Sequence, residues 1–277
     1  MMCSIEAIGD VGLADEKILP VENVKSPLEK HREMKESEII AMDLFDDIWG
    51  GLCSRFGEKN LHFPKQVVFL NGAPGAGKGT NTLTVMRVLE IPSRPVEVSS
   101  LLKTPECEAL KDKGMLISDD IVVLKVVEEL LKPENARGVI IDGFPRTAVQ
   151  AYFLRQLIRA LRSKDGQNDV IFRMVNFSVS RKTSVERQLA RGTEAIERNK
   201  TAKVEGRSEI AVRATDISSE SAMRRYEIYE KSIRDCIVIL RNDLDFCEIN
   251  AEGTFEDVKN RTYNILLKQK SLDSIGD

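Results

Sequence analysis

The stretch Phe69–Leu83, FLNGAPGAGKGTNTL, limits the fold more than any other part of this chain. An apolar run leads into it and a helix-like run follows. Within it, Gly72-Ala73-Pro74-Gly75-Ala76-Gly77-Lys78 fits G-x-x-x-x-G-K, a pattern that carries meaning only between a strand and a helix. Its glycines let the main chain curl until several N–H groups point at one anion, and the following helix adds the positive end of its dipole. Lys78 supplies a mobile full charge for β- and γ-phosphates. Gly79 stands where most such loops place Ser or Thr to hold magnesium, and the hydroxyl comes one residue later, at Thr80. A carboxylate from another strand, acting through water, is therefore expected to hold the metal.

The flanking pattern agrees with such a loop. Short apolar runs at 66–70, 95–98, 138–142, 170–177 and 245–250 read as strands. Helical patterns alternate with them, near 78–90, 118–132, 148–162, 184–190, 218–241 and from Thr254 onward. This alternation predicts an α/β fold: a parallel sheet with helices on both faces. Residues 192–212 are polar and poor in core candidates. Before the loop, residues 1–27 carry little periodicity. From Leu28 to Phe56 a helical stripe appears, formed by Ala41, Phe45, Ile48 and Leu52 with Trp49 and Phe56 beside it. Packing of this helix on the main domain is the expectation; a partner contact is the alternative. Residues 1–64 thus read as an N-terminal arm and helix, 65–270 as the main domain, and 271–277 as a tail.

Composition narrows the function classes. The 277 residues carry a net charge of −3, which argues against a chain built for nucleic acid. The cysteines, Cys3, Cys53, Cys107, Cys236 and Cys247, form no CxxC pair and suggest free thiols in a reducing compartment. No run approaches the roughly 18–20 apolar residues that span a bilayer. The N-terminus is acidic where a signal peptide is basic. A cytoplasmic protein with no membrane partner, monomeric or weakly dimeric, is expected.

The carboxylate has a candidate in VIIDGFPRTAVQ, residues 139–150, where Asp142 closes a predicted strand. Strand C-termini of open α/β sheets face the ligand crevice, which brings Asp142 toward Lys78. Arg146 follows at the same rim, where a forked guanidinium can take two phosphate oxygens at once. Together, GAPGAGKGT and DGFPRTAVQ resemble the adenylate kinase family of nucleoside monophosphate kinases, from about Lys65 to the C-terminal helix. The resemblance implies a five-stranded parallel core, a monophosphate-binding arm at about 96–132 and a mobile lid at about 192–215. It also implies transfer of the γ-phosphoryl of ATP to a nucleoside monophosphate, with Mg²⁺ held through water by Asp142.

Carried over by position, the resemblance assigns ATP to Gly72, Ala73, Pro74, Gly75, Ala76, Gly77, Lys78, Gly79 and Thr80. Arg187 and Arg191 of VERQLARG join them, as do Glu252 and Gly253 of INAEGTFEDV. It assigns the monophosphate to Ser99, Leu102 and Lys103 of the arm, Leu116 and Ile117 of GMLISDD, and Gly143, Phe144, Arg146 and Gln150. Gln150 matches the position whose amide reads adenine, which leans toward AMP. Lys78, Arg146, Arg191 and Arg213 form the implied catalytic set together with Arg224 or Arg225, between which helical register does not choose. Phosphoryl transfer asks a protein mainly for positioning and charge neutralisation, so a set of cations without a histidine base is sufficient.

Two segments depart from the family pattern. In EVSSLLKTPECEALKDKG, residues 97–114, serines replace the expected Gly-Asp and Lys103 stands where arginine is expected. Lysine cannot reproduce a bidentate grip. The lid text, GTEAIERNKTAKVEGRSEIAV, is longer than short lids and lacks the cysteines of zinc-bearing ones, and Arg207 rivals Arg213 within it. Two other functions stay open at this level: a nucleotide-binding regulatory module without transfer activity, and a P-loop kinase for another small acceptor, UMP/CMP or a non-nucleotide.

Overall fold

The computed structural model describes residues 26–112, 117–163, 169–210 and 212–273. Along the chain come α1 (Pro27–Phe56), β1 (Gln66–Gly72), α2 (Lys78–Val88), β2 (Val96–Glu97), α3 (Val98–Leu101), α4 (Pro105–Asp112) and α5 (Asp119–Leu130). Then follow β3 (Val139–Asp142), α6 (Ala148–Arg162), β4 (Ile171–Ser178), α7 (Arg181–Glu205), α8 (Ser219–Leu240), β5 (Asp245–Asn250) and α9 (Phe255–Asp273).

The strands form one five-stranded sheet in the order β2-β3-β1-β4-β5, and every pairing is parallel. Central β1 is buried from Val67 onward, as a strand covered on both faces must be. Its side chains alternate between two cores. Val67 and Phe69 pack with Ile141, Met174 and residues of α5, α6 and α8. Val68 and Leu70 pack with Ile140, Val175 and residues of α2 and α9. All five sequence-predicted strands are present, and the α/β reading holds. Among the described residues no helix is long and apolar enough to cross a membrane.

Helix α1 is a brace on the first of these cores. A capping box starts it: Ser26 N donates to Glu29 Oε2 at 2.7 Å, and Glu29 N to Ser26 Oγ at 3.2 Å. Ala41 is fully buried and small enough to let the helix approach. Phe45 stacks on Trp49 at 5.5 Å and meets Phe153 of α6 at 5.7 Å; Trp49 in turn stacks on Phe63 at 6.3 Å. Arg155 of α6 pairs with Glu38.

The largest departure from the sequence-based expectation lies in α7. A helix near 184–190 followed by a polar lid is expected, but the helix continues through Glu205. Residues 193–205 hold several good helix formers and no proline, so nothing local stops the helix. Gly206, left-handed at φ 65°, ends it. The chain then turns back, and the Asn199 side chain clamps Ile210 from both ends, with Nδ2 to its O and Oδ1 from its N, each at 2.7 Å. The segment where the resemblance implies a lid is thus a helix with a return strap.

Truncating a buried phenylalanine to alanine costs about 3–5 kcal/mol, and Phe45 keeps part of its ring in water. Phe45→Ala is therefore expected to lower unfolding free energy in urea by about 2–3 kcal/mol. A loss below about 0.5 kcal/mol would mean that α1 does not brace the fold.

Candidate active site

The phosphate loop crosses the C-terminal edge of β1 and enters α2. Pro74 O accepts from buried Ser184 Oγ of α7 at 2.7 Å, which fixes the loop crest from outside. Lys78 Nζ donates to Gly72 O at 2.7 Å. Burial pushes the Lys78 ammonium down to about 8; Asp142 pulls it up, while Arg146, Arg225 and Arg191 press it down further.

A cavity of about 560 Å³ opens above this loop. Ala73 through Thr80 line it, with Glu97, Ser99, Asp142, Arg146, Arg191, Arg213 and Arg225. Glu97 and Asp142 reach it from strand ends, Arg146 and Arg213 from loops, and Arg191 and Arg225 from within α7 and α8. Asp142 is the last residue of β3 and pairs in register with Leu70 of β1. Burial raises the Asp142 carboxyl above the usual range; Lys78 and Arg146 oppose this, and Glu97 adds to it. Arg146 sits over Gly143, where φ is +90° and an added Cβ would lie 2.3 Å from the guanidinium. The positive φ favours glycine there, and any larger residue would also push the guanidinium aside.

Asp216 is the anchor of the arginine wall. It is 3% exposed and accepts from Arg191 Nε at 2.7 Å and Nη2 at 2.9 Å. Arg225 donates to the same carboxylate at 3.3 Å and to Thr215 Oγ1 at 3.1 Å. Burial pushes the Asp216 carboxyl up, but the hydrogen bond and charge of Arg191, with Arg225 and Arg213, hold it below the usual range. Gly192 makes this docking possible, since a Cβ there would lie 2.2 Å from Asp216 O. Of the two alternatives on α8, Arg225 lines the cavity. Arg224 is exposed and does not line it. Arg207 pairs with Glu205 at 3.2 Å in an exposed position, and Arg213 lines the cavity.

A second cavity, about 360 Å³, adjoins the loop between Arg187, Gly253, Thr254, Phe255 and Val258. The Arg187 guanidinium donates to Ala251 O at 2.9 Å and Gly253 O at 2.8 Å, which lays it along that wall. Glu252 turns elsewhere. Its carboxylate accepts from Ser180 N at 2.6 Å and Thr183 Oγ1 at 2.7 Å, at the start of α7.

The arm residues divide. Ser99 lines the main cavity. Leu102 and Ile117 pack against the core, Phe144 is buried beside Phe69 at 5.9 Å, and Lys103 is exposed and outside the lining. Leu116 lies outside the described residues. Gln150 is buried, and its amide is committed: Oε1 accepts from Arg146 N at 2.8 Å, and Nε2 donates to Asp119 Oδ1 at 2.7 Å. Thr147 Oγ1 donates to the same Asp119 oxygen at 3.0 Å. In this geometry Gln150 holds the Arg146 turn to the start of α5. Sequence reasoning passed over Glu97. The rule that selects Asp142, an acid at the end of an apolar run, does not select Glu97, which lies inside PVEV with Val98 after it.

Hard oxygen donors suited to Mg²⁺ are present in Asp142, Glu97, Thr80 and Ser99. Among the described residues no group of three or more acid, His or Cys ligands exists, so a metal here would draw most of its shell from water and phosphate.

No family model matches the chain. Individual proteins do. An adenylate kinase of Corynebacterium diphtheriae is 29% identical over 208 residues, covering 72% of this chain and 98% of the relative. One of Clostridium botulinum is 26% identical over 216 residues, 73% of this chain and 99% of the relative. One of Geobacter sulfurreducens is 37% identical over 134 residues; that match covers 45% of this chain and 58% of the relative.

Because the native Lys78 pKa, about 8, lies below its ordinary 10.5, the unfolded chain binds the extra proton between those values. Stability then rises with pH across that window. Lys78→Met is expected to stabilise the nucleotide-free protein at pH 7 by on the order of 2 kcal/mol, discounted for the solvent that still reaches the ammonium. It should also flatten the rise between pH 8 and 10.5. Chemical denaturation across that range checks both, and an unchanged slope contradicts them.

Proposed function

We propose that the chain, which is similar to adenylate kinases of several bacteria, moves the γ-phosphoryl of ATP to AMP, giving ADP from both. One observation carries the reading: the phosphate loop, Asp142 and Ser99 share a single cavity with Arg146, Arg191, Arg213 and Arg225. A donor polyphosphate and an acceptor phosphate brought into it lie among the same cations. AMP as the acceptor draws its support from the printed names of the relatives.

In this reading the loop N–H groups and Lys78 cradle the donor's β- and γ-phosphates, and Arg187 flanks the donor base against Gly253. Arg146 takes the acceptor phosphate in a bidentate grip, the role Lys103 cannot fill. Arg191, Arg213 and Arg225 close over the equatorial oxygens of the transferring group, where charge spreads in the transition state. An acceptor phosphate oxygen attacks the γ-phosphorus, the bond to the β–γ bridging oxygen breaks, and that oxygen leaves on ADP. No proton has to be drawn from the acceptor phosphate by a histidine. Asp142 would hold Mg²⁺ through water, the task that Gly79 leaves undone in the loop, and the bound metal would supply neutralising charge to the donor phosphates. Closure of the lid, the far part of α7 with its return strap, excludes water from the reaction.

Gln150 belongs to the positioning of Arg146 in this account. ADP formation is measured with ATP, Mg²⁺ and AMP, GMP, CMP or UMP. Wild type is expected to prefer AMP. Arg146→Ala is expected to lose at least about a hundredfold in turnover. Gln150→Ala is expected to lose about tenfold with every acceptor alike, as one positioning hydrogen bond implies. Absence of ADP with every acceptor contradicts the proposed reaction. A loss confined to AMP in Gln150→Ala contradicts its positioning role.

A further inference from the structure

Two carboxylates stand side by side at the edge of the sheet. Glu97 ends β2 and is in register with Asp142, which ends β3. In-register residues of parallel strands project from the same face, and both residues line the cavity above the phosphate loop. The Glu97 carboxylate does not cap α3, the helix beginning at the next residue. It stands instead beside Asp142 on the cavity wall. Two adjacent carboxylates repel each other unless an opposite charge joins them.

Lys78 supplies part of that opposite charge, but its amine is turned to Gly72 O. The loop itself offers Gly79 where a metal-binding hydroxyl usually sits. We propose that Glu97 is a second cation-positioning carboxylate, which with Asp142 holds through water the divalent cation accompanying the donor polyphosphate. The inference rests on the proposed phosphoryl transfer. Mg²⁺ keeps several waters and is bound by one or two carboxylates plus substrate phosphates, so two outer-sphere acceptors on adjacent strand ends suit its octahedral shell. Glu97 is a positioning residue in this arrangement: it orients waters and leaves the transferred group to Lys78 and the arginines. The pair is part of the wall facing the phosphate loop, so its ligand is the cation that polyphosphate carries.

The test uses the full chain with Mn²⁺ as probe and a non-hydrolysable ATP analogue. Free Mn²⁺ is read by electron paramagnetic resonance. Glu97→Gln is expected to weaken Mn²⁺ binding to the protein–analogue complex about three- to tenfold. Affinity for the metal-free analogue, measured with chelator by calorimetry, should stay within about twofold, since no nucleotide contact is removed. Glu97→Asp, which keeps the charge, should recover part of the Mn²⁺ affinity. Mn²⁺ binding that is unchanged or tighter in Glu97→Gln, while Asp142→Asn weakens it, overturns the role of Glu97 alone. Failure of the wild-type complex to bind Mn²⁺ overturns the inference together with the reading beneath it.

Discussion

Repulsion among Lys78, Arg146, Arg191, Arg213 and Arg225 is the constraint to which the rest of this structure answers. They share one cavity, and each pair of like charges about 7 Å apart costs on the order of 2 kcal/mol at an effective dielectric near 20. The burden shows in Lys78, driven down to about 8 by burial with help from three arginines. Asp216 relieves part of it by binding Arg191 and Arg225 together. Asp142 relieves another part beside Lys78. The remaining positive charge is available to phosphate. Preorganised cations of this kind need no rearrangement when charge develops on a transferring phosphoryl group.

Holding such charges apart and aimed requires stiff supports. The parallel sheet supplies two, because β1 and β3 end together beneath the cavity. Helices α7 and α8 supply the arginine wall, joined through the close approach of Gly192 to Asp216. The Arg146 side of the cavity depends on the turn between β3 and α6. There Gln150, Thr147 and Asp119 tie Arg146 to α5, and the Cys236 thiol of α8, pushed up to about 12 by burial, lies against Thr147 O. Helix α1 packs on α6, so an extension outside the sheet supports the helix that carries this turn.

Much of this was legible in the sequence for identifiable reasons. Buried parallel strands write unbroken apolar runs, and the loop writes its glycines, so all five strands and the floor of the cavity can be read directly. Asp142 follows because strand ends in such sheets face the crevice. What could not be read depends on third dimensions. Arg224 and Arg225 differ by one residue in a helix, and only packing selects Arg225. Gln150 fits a base reader by position, yet its amide is held by Asp119, distant in sequence. The end of α7 was missed because low hydrophobicity marks a lid equally well as coil or as exposed helix. Glu97 was passed over because a two-residue strand carries too little pattern to show that its end meets Asp142.

The central claim is that one cavity joins a donor polyphosphate to an acceptor phosphate. A single-turnover reaction with γ-³²P-labelled ATP, Mg²⁺ and excess AMP tests it most directly. The account predicts that the label moves into newly formed ADP, with little inorganic phosphate released. Label remaining in ATP, or leaving only as inorganic phosphate, would contradict it.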